Sequence, residues 1–123
     1  MKVAFLFLAK KQFVSSIYKT ITNMILEMAT LQVKEGMEEQ FEIDFKTAGQ
    51  YISSIKGYQG HTLKKCLEHK NKYLLLVHWD SVEAHEIGFR KSDVYLKWKE
   101  LLHHYYEPFP EVEHYSTVLD NSL

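Results

Sequence analysis

The chain has 123 residues, 46% apolar and 25% charged, with 15 basic and 16 acidic side chains and a net charge of −1. Such a chain fits one globular domain with an apolar core, and its single cysteine, Cys66, excludes an internal disulfide scaffold and points to a reducing, cytoplasmic compartment. Fourteen of the basic residues are Lys and only Arg90 is Arg, which counts against a nucleic-acid surface built on guanidinium forks.

Charge divides the chain near residue 23. Residues 1–23 carry Lys2, Lys10, Lys11 and Lys19 and no acid, whereas residues 24–123 hold the other 11 basic residues, all 16 acids and all seven histidines. Lys2 precedes an apolar run, Val3 to Ala9, but Lys10 and Lys11 interrupt it and no small-x-small cleavage site follows. The run is too short to span a bilayer, so no membrane association is expected. Val14, Ile17 and Ile21 then recur at helical spacing. Residues 1–23 therefore read as a basic and apolar extension, either an appended strand and helix or an upstream start ahead of Met24. Residues 24–118 read as the domain, and 119–123 as a tail.

The domain opens on a strand with apolar residues on both parities, Ile25, Ala29, Leu31 and Val33 on one and Leu26, Met28 and Thr30 on the other. After Gly36, the residues Met37, Phe41, Phe45, Ala48, Ile52 and Ile55 form one helical stripe, with Glu38, Glu39, Glu42 and Asp44 on the wet side. Gly57–Gly60 is expected to be a turn, followed by a hairpin of His61–Leu67 and Tyr73–Trp79 joined across Glu68–Asn71. In its second strand Tyr73, Leu75, Val77 and Trp79 share one face, and Leu74, Leu76 and His78 the other. A sheet with helices on one side only should alternate apolar with polar, so its second face is expected to meet another copy of itself, a homodimer through the sheet.

Asp80, Ser81 and Glu83 read as a helix start, with Val82, His85 and Phe89 along one side. Ser92 restarts the helix, Val94, Trp98, Leu101 and Tyr105 continue the stripe, and Pro108 and Pro110 end it. The run Val112–Leu119 reads as a last strand. The order βαββαβ is the ferredoxin-like α+β arrangement, a four-stranded antiparallel sheet with both helices on one face.

Seven histidines invite a metal reading, but their spacing does not support one: four residues after His85 stands Phe89, and His103 and His104 diverge on a helix. His61, His69 and His114 fit partly exposed strand or turn positions. Cys66 lies within the predicted strand, as a small buried hydrophobe, and the five glycines form no phosphate loop. The remaining chemistry gathers around the end of the third strand, where Trp79, Phe89, Tyr95 and Trp98 can line an aromatic pocket with His85 as its titratable base.

The residues Trp79-Asp80-Ser81-Val82-Glu83-Ala84-His85, Gly88-Phe89-Arg90-Lys91-Ser92, Tyr95, Trp98 and Pro108-Phe109-Pro110-Glu111-Val112-Glu113-His114-Tyr115 resemble the antibiotic biosynthesis monooxygenase family of dimeric α+β barrels. The resemblance runs from Met24 to about Val118. It implies a dimeric barrel and leaves the reaction open, since the family holds quinone-forming oxygenases, haem-degrading oxygenases and isomerases. The haem-degrading branch carries an Asn, a Trp and a His where this chain has Ala29, Phe89 and Lys99. The cofactor-free branch shares Trp79, but has Asn at Leu75, Tyr at His85 and Arg at Lys99. It implies oxidation of an electron-rich aromatic or enol without cofactor or metal. His85 would be the base, Trp79 and Lys99 would stabilise an oxyanion, and Phe89, Tyr95 and Trp98 would bind the substrate. The competing expectation is a dimeric module that binds a hydrophobic metabolite and catalyses nothing.

Overall fold

The computed structural model describes residues 24–121 and, apart from them, Lys10. The expected strand and helix of the extension, Val3–Ala9 and the Val14–Ile21 stripe, lie outside the described residues. Four strands, β1 (Ile25–Gln32), β2 (Tyr58–Lys65), β3 (Lys72–Trp79) and β4 (Val112–Ser116), form one sheet in the order β2-β3-β1-β4. Every neighbouring pair is antiparallel. Helix α1 (Glu38–Ile52) follows β1, and a π-helical turn (Ala84–Phe89), helix α2 (Asp93–Leu102) and a short 3₁₀ turn (His103–Tyr105) follow β3. This is the ferredoxin-like α+β fold expected from the element order. No helix among the described residues is long and apolar enough to cross a membrane.

The helices cover one face of the sheet. The α1 stripe buries Phe41, Phe45, Ala48 and Ile52 against Ala29, Leu31, Tyr73, Leu75 and Val77. Phe41 sits at the centre, its ring 4.9 Å from Tyr73 and 5.5 Å from Tyr105. The wet side of α1 is less wet than its acids suggested: Glu42 accepts a hydrogen bond from the Tyr73 hydroxyl, and half-buried Asp44 accepts one from Tyr105. On the opposite face Leu26, Met28, Thr30, Leu74 and Leu76 are half-buried and His78 is exposed.

Several boundaries differ from the sequence reading. The segment Gly57–Gly60 is not wholly a turn: β2 begins at Tyr58, and a register shift between Tyr58 and Gly60, with Gly60 at φ 133°, absorbs the glycine as a bulge. The hairpin's first strand stops at Lys65, so Leu67 is exposed. Cys66 is half-buried beyond the strand, with its thiol 3.4 Å from Glu68 Oε2, rather than a buried core residue. The last strand ends at Ser116, leaving Val118 and Leu119 exposed.

Ser92 restarts the second helix as expected. Its Oγ accepts the Tyr95 N–H at 3.2 Å and donates to the Phe89 carbonyl at 2.6 Å, which joins the π-helical turn to α2. Gly57, at φ 95°, lets that turn lie close to the sheet: a Cβ there would stand 2.7 Å from the Ala84 methyl.

Candidate functional site

Between the sheet and the second helical segment lies a cavity of about 60 Å³. Its sheet side is Glu27, Ala29 and Leu31 from β1, Leu75 from β3 and Val112 from β4. Its helical side is His85, Phe89, Arg90, Tyr95 and Trp98, and His103, Tyr106, Phe109 and Pro110 complete it. The aromatic packing is continuous, with Phe89 5.1 Å from Tyr95 and 5.5 Å from Trp98, centroid to centroid.

At the sheet end of this cavity is a chain of polar contacts. Strand alternation puts Glu27 on the same face as Ala29 and Leu31, where it is only 5% exposed. A buried carboxyl must be satisfied. Trp79, on the same face of neighbouring β3, donates its indole N–H to Glu27 Oε1 at 2.8 Å. His85 Nε2 stands 3.3 Å from that same oxygen, and His85 Nδ1 is 2.8 Å from Nε2 of His114, the residue opposite Glu27 on β4. The His85 ring also stacks on Trp79, with centroids 5.5 Å apart and planes 27° apart.

The π-helical turn aims that imidazole. Its wide i to i+5 closure is visible in the bond from the Arg90 N–H to the His85 carbonyl, 3.0 Å long. His85 and Phe89 both end up buried against Trp79.

Burial pushes the Glu27 carboxyl above the ordinary carboxylate range, against the opposing pull of the Trp79 hydrogen bond and the Arg90 charge. Burial, with Arg90 and His114 adding to it, pushes His85 down to about 3. Both directions favour the uncharged forms, so burial works against an ion pair at this contact. A stability consequence follows with a definite sign. A histidine held neutral in the fold contributes stability that is complete above its unfolded value of 6.5 and is lost as pH falls toward 3. Glu27 acts in the opposite sense, its contribution present at low pH and lost as pH rises through its raised value. The two contributions oppose one another, and His85→Leu keeps only that of Glu27, so on acidification below pH 6.5 the urea-unfolding midpoint of wild type should fall relative to that of His85→Leu.

Of the residues singled out from sequence, His85, Phe89, Tyr95 and Trp98 come together at the cavity. Trp79 lies behind it, with its N–H already given to Glu27. Lys99 is exposed and is not among the residues lining the cavity, whereas Arg90 is. Glu27 and His114 were not singled out. The signal for Glu27 was an acid on the buried parity of an apolar strand, between Ile25 and Ala29. Haem does not fit here: Ala29 and Phe89 offer no ligating atom, Lys99 is exposed and does not line the cavity, and the cavity is far smaller than a porphyrin. Among the described residues no three His, Cys, Asp or Glu side chains are arranged to hold a metal ion.

Comparison with known proteins places this geometry. The family described as antibiotic biosynthesis monooxygenase matches residues 24–101. The uncharacterized protein YczJ of Bacillus subtilis (strain 168) is 52% identical over 95 residues, 77% of this chain and 100% of YczJ. A crystal structure of a candidate antibiotic biosynthesis monooxygenase from Bordetella bronchiseptica superimposes with a TM-score of 0.75 at 31% identity, covering 78% of this chain and 98% of that one. A mutant of SnoaB, a cofactor-independent oxygenase from Streptomyces nogalater, superimposes with a TM-score of 0.72 over 82% of this chain and 99% of its own; at 16% identity that likeness concerns the fold.

Proposed function

The chain belongs to the antibiotic biosynthesis monooxygenase family, and from that premise we propose that residues 24–118 form a cofactor-independent oxygenase domain acting on an electron-rich aromatic or enol compound. The observation that carries this reading is the buried Glu27–His85 pair, 3.3 Å apart, at the end of an aromatic cavity. Phe89, Tyr95 and Trp98 pack against the reacting edge of the planar substrate, and the Glu27–His85 pair takes up the proton it loses. The resulting enolate or phenolate donates electrons to dioxygen. One oxygen atom ends as a new carbonyl on the substrate and the other as water, with all four electrons drawn from the oxidised carbon. The cationic partner of the developing anion is Arg90 at the cavity, in the place first given to Lys99. The open face of the sheet meets a second copy, and the single cysteine suits a cytoplasmic setting.

The test is oxygen uptake with anthrone-type and catechol-type compounds. Wild type should consume oxygen, and His85→Ala should be slower by about 10²–10⁴-fold; equal rates would remove His85 from the reaction. A cavity of about 60 Å³ holds only the reacting edge of such a molecule, and this favours a second reading, a dimeric module that binds a hydrophobic metabolite without turnover. Quenching of tryptophan fluorescence by an aromatic compound that supports no oxygen uptake would select that reading.

A further inference from the structure

His85 meets a polar partner at each ring nitrogen, Nδ1 in a hydrogen bond with His114 and Nε2 in a 3.3 Å contact with Glu27 Oε1, and a neutral imidazole has only one N–H to give. If Nδ1–H donates to His114, Nε2 must accept, and the group facing it has to be the protonated Glu27 carboxyl. If instead Nε2–H donates to an ionised Glu27, Nδ1 must accept from the Nε2–H of His114. The two arrangements differ by one concerted move. The Glu27 proton passes to His85 Nε2, the His85 Nδ1 proton passes to His114 Nε2, and the His114 Nδ1 proton passes to water. One proton crosses, neither ring ends charged, and the cavity need not open. His114 is placed for the last transfer, being half-buried on β4 at the edge of the sheet, while Glu27 and His85 are buried.

From this geometry we propose that Glu27 is the proton-accepting group of the cavity and that His85 and His114 carry the proton between it and solvent. Both observed contacts to Glu27 fall on Oε1, so Oε2 is the oxygen left for a ligand. The proposal rests on the reading that the cavity binds a small molecule. It narrows that molecule to one presenting a weakly acidic C–H or O–H at the sheet end: that bond breaks, its electron pair stays with the ligand, and the proton goes to Oε2; the carboxyl then turns to present that proton to His85 as the two rings return to their Nδ1–H forms, which restores the first arrangement. Trp79 is a positioning residue, since its N–H and its stacked ring fix the carboxyl and the imidazole. The other titratable groups around the trio are Arg90 beyond the π-helical turn, Tyr95 on α2, His103 on the 3₁₀ turn and Tyr106. None of them stands between Glu27 and His114 in the chain of contacts.

The experiment needs no substrate, so it succeeds or fails independently of whether oxygen is consumed. Histidine side-chain ¹⁵N resonances of the whole chain are followed as pH is raised. In wild type His85 should change from the Nδ1–H to the Nε2–H tautomer as Glu27 ionises, and in Glu27→Gln it should keep one tautomer throughout. In His114→Phe the Nδ1–H form loses its acceptor and the Nε2–H form its donor; a buried N–H left without an acceptor costs more than a bare nitrogen left without a donor, so the change should move to lower pH, and His114→Gln should restore it toward wild type. A wild-type His85 that never changes tautomer, a Glu27→Gln protein that still does, or an unmoved midpoint in His114→Phe would each overturn the proposal.

Discussion

Replacing Leu76 by Glu should convert the protein from paired copies to single chains at micromolar concentration, seen by sedimentation velocity beside the wild type. Leu76 lies on central strand β3, opposite Met28 on β1 and Thr62 on β2, and Leu74 and Leu26 extend the same face. The helices cover the other side, so these side chains are only half-buried within one chain. A sheet that pairs through this face by a twofold axis brings two copies of any substituted side chain together near its centre. A carboxylate there loses water without gaining a partner, and a central apolar position of this kind costs at least about 2 kcal/mol, a thirtyfold loss in dissociation constant. Far-ultraviolet circular dichroism should stay close to wild type, because Leu76 does not pack into the core under α1. A wild type that already sediments as a single chain would defeat the paired arrangement.

Trp79→Ala is expected to have the largest effect on stability, lowering the unfolding free energy in urea by about 3–5 kcal/mol. Trp79 is fully buried, packs edge-on against Tyr58 at 6.0 Å and face-on against His85, and donates the indole hydrogen bond to Glu27. Truncation therefore opens a cavity and strips a donor from a buried carboxyl at the same time. Measured against the roughly 5–15 kcal/mol that holds a typical domain folded, such a loss leaves little reserve. Trp79→Phe separates the two causes: it keeps most of the packing and loses the N–H, so it should be milder than Ala. A Trp79→Ala protein with an unchanged urea midpoint would mean that the sheet end of the cavity carries no weight.

Most of the architecture was legible because it is written in short-range periodicity. The stripe from Met37 to Ile52 fixes α1 and the face it buries. The double-sided apolar content of β1 and β3 marks a central pair of strands, and Ser92 marks the second helix start. What escaped was what depends on distant residues or on a local change of geometry. Gly57 and Gly60 read as turn residues, yet one permits close approach of Ala84 and the other sits in a bulge, which moves the start of β2 from His61 to Tyr58. The His85-to-Phe89 spacing suits an α-helix as well as a π-helical turn, so the wider winding leaves no mark in the pattern. Glu27 was passed over because an acid does not belong to an apolar parity. Its reasons for being there are Trp79, His85 and His114, the first of them 52 positions away.

That wide turn has an evolutionary corollary. It is one residue's worth of surplus backbone between two well-anchored points, the close approach at Gly57 and the cap at Ser92. A single codon deleted around Ile87 would let the segment rewind to ordinary pitch, swinging the imidazole by about 100° while the sheet and α2 stay as they are. Homologues differing by that one codon would share an architecture and divide into those with a proton path and those without. Their loop lengths at this point would sort them before any assay did.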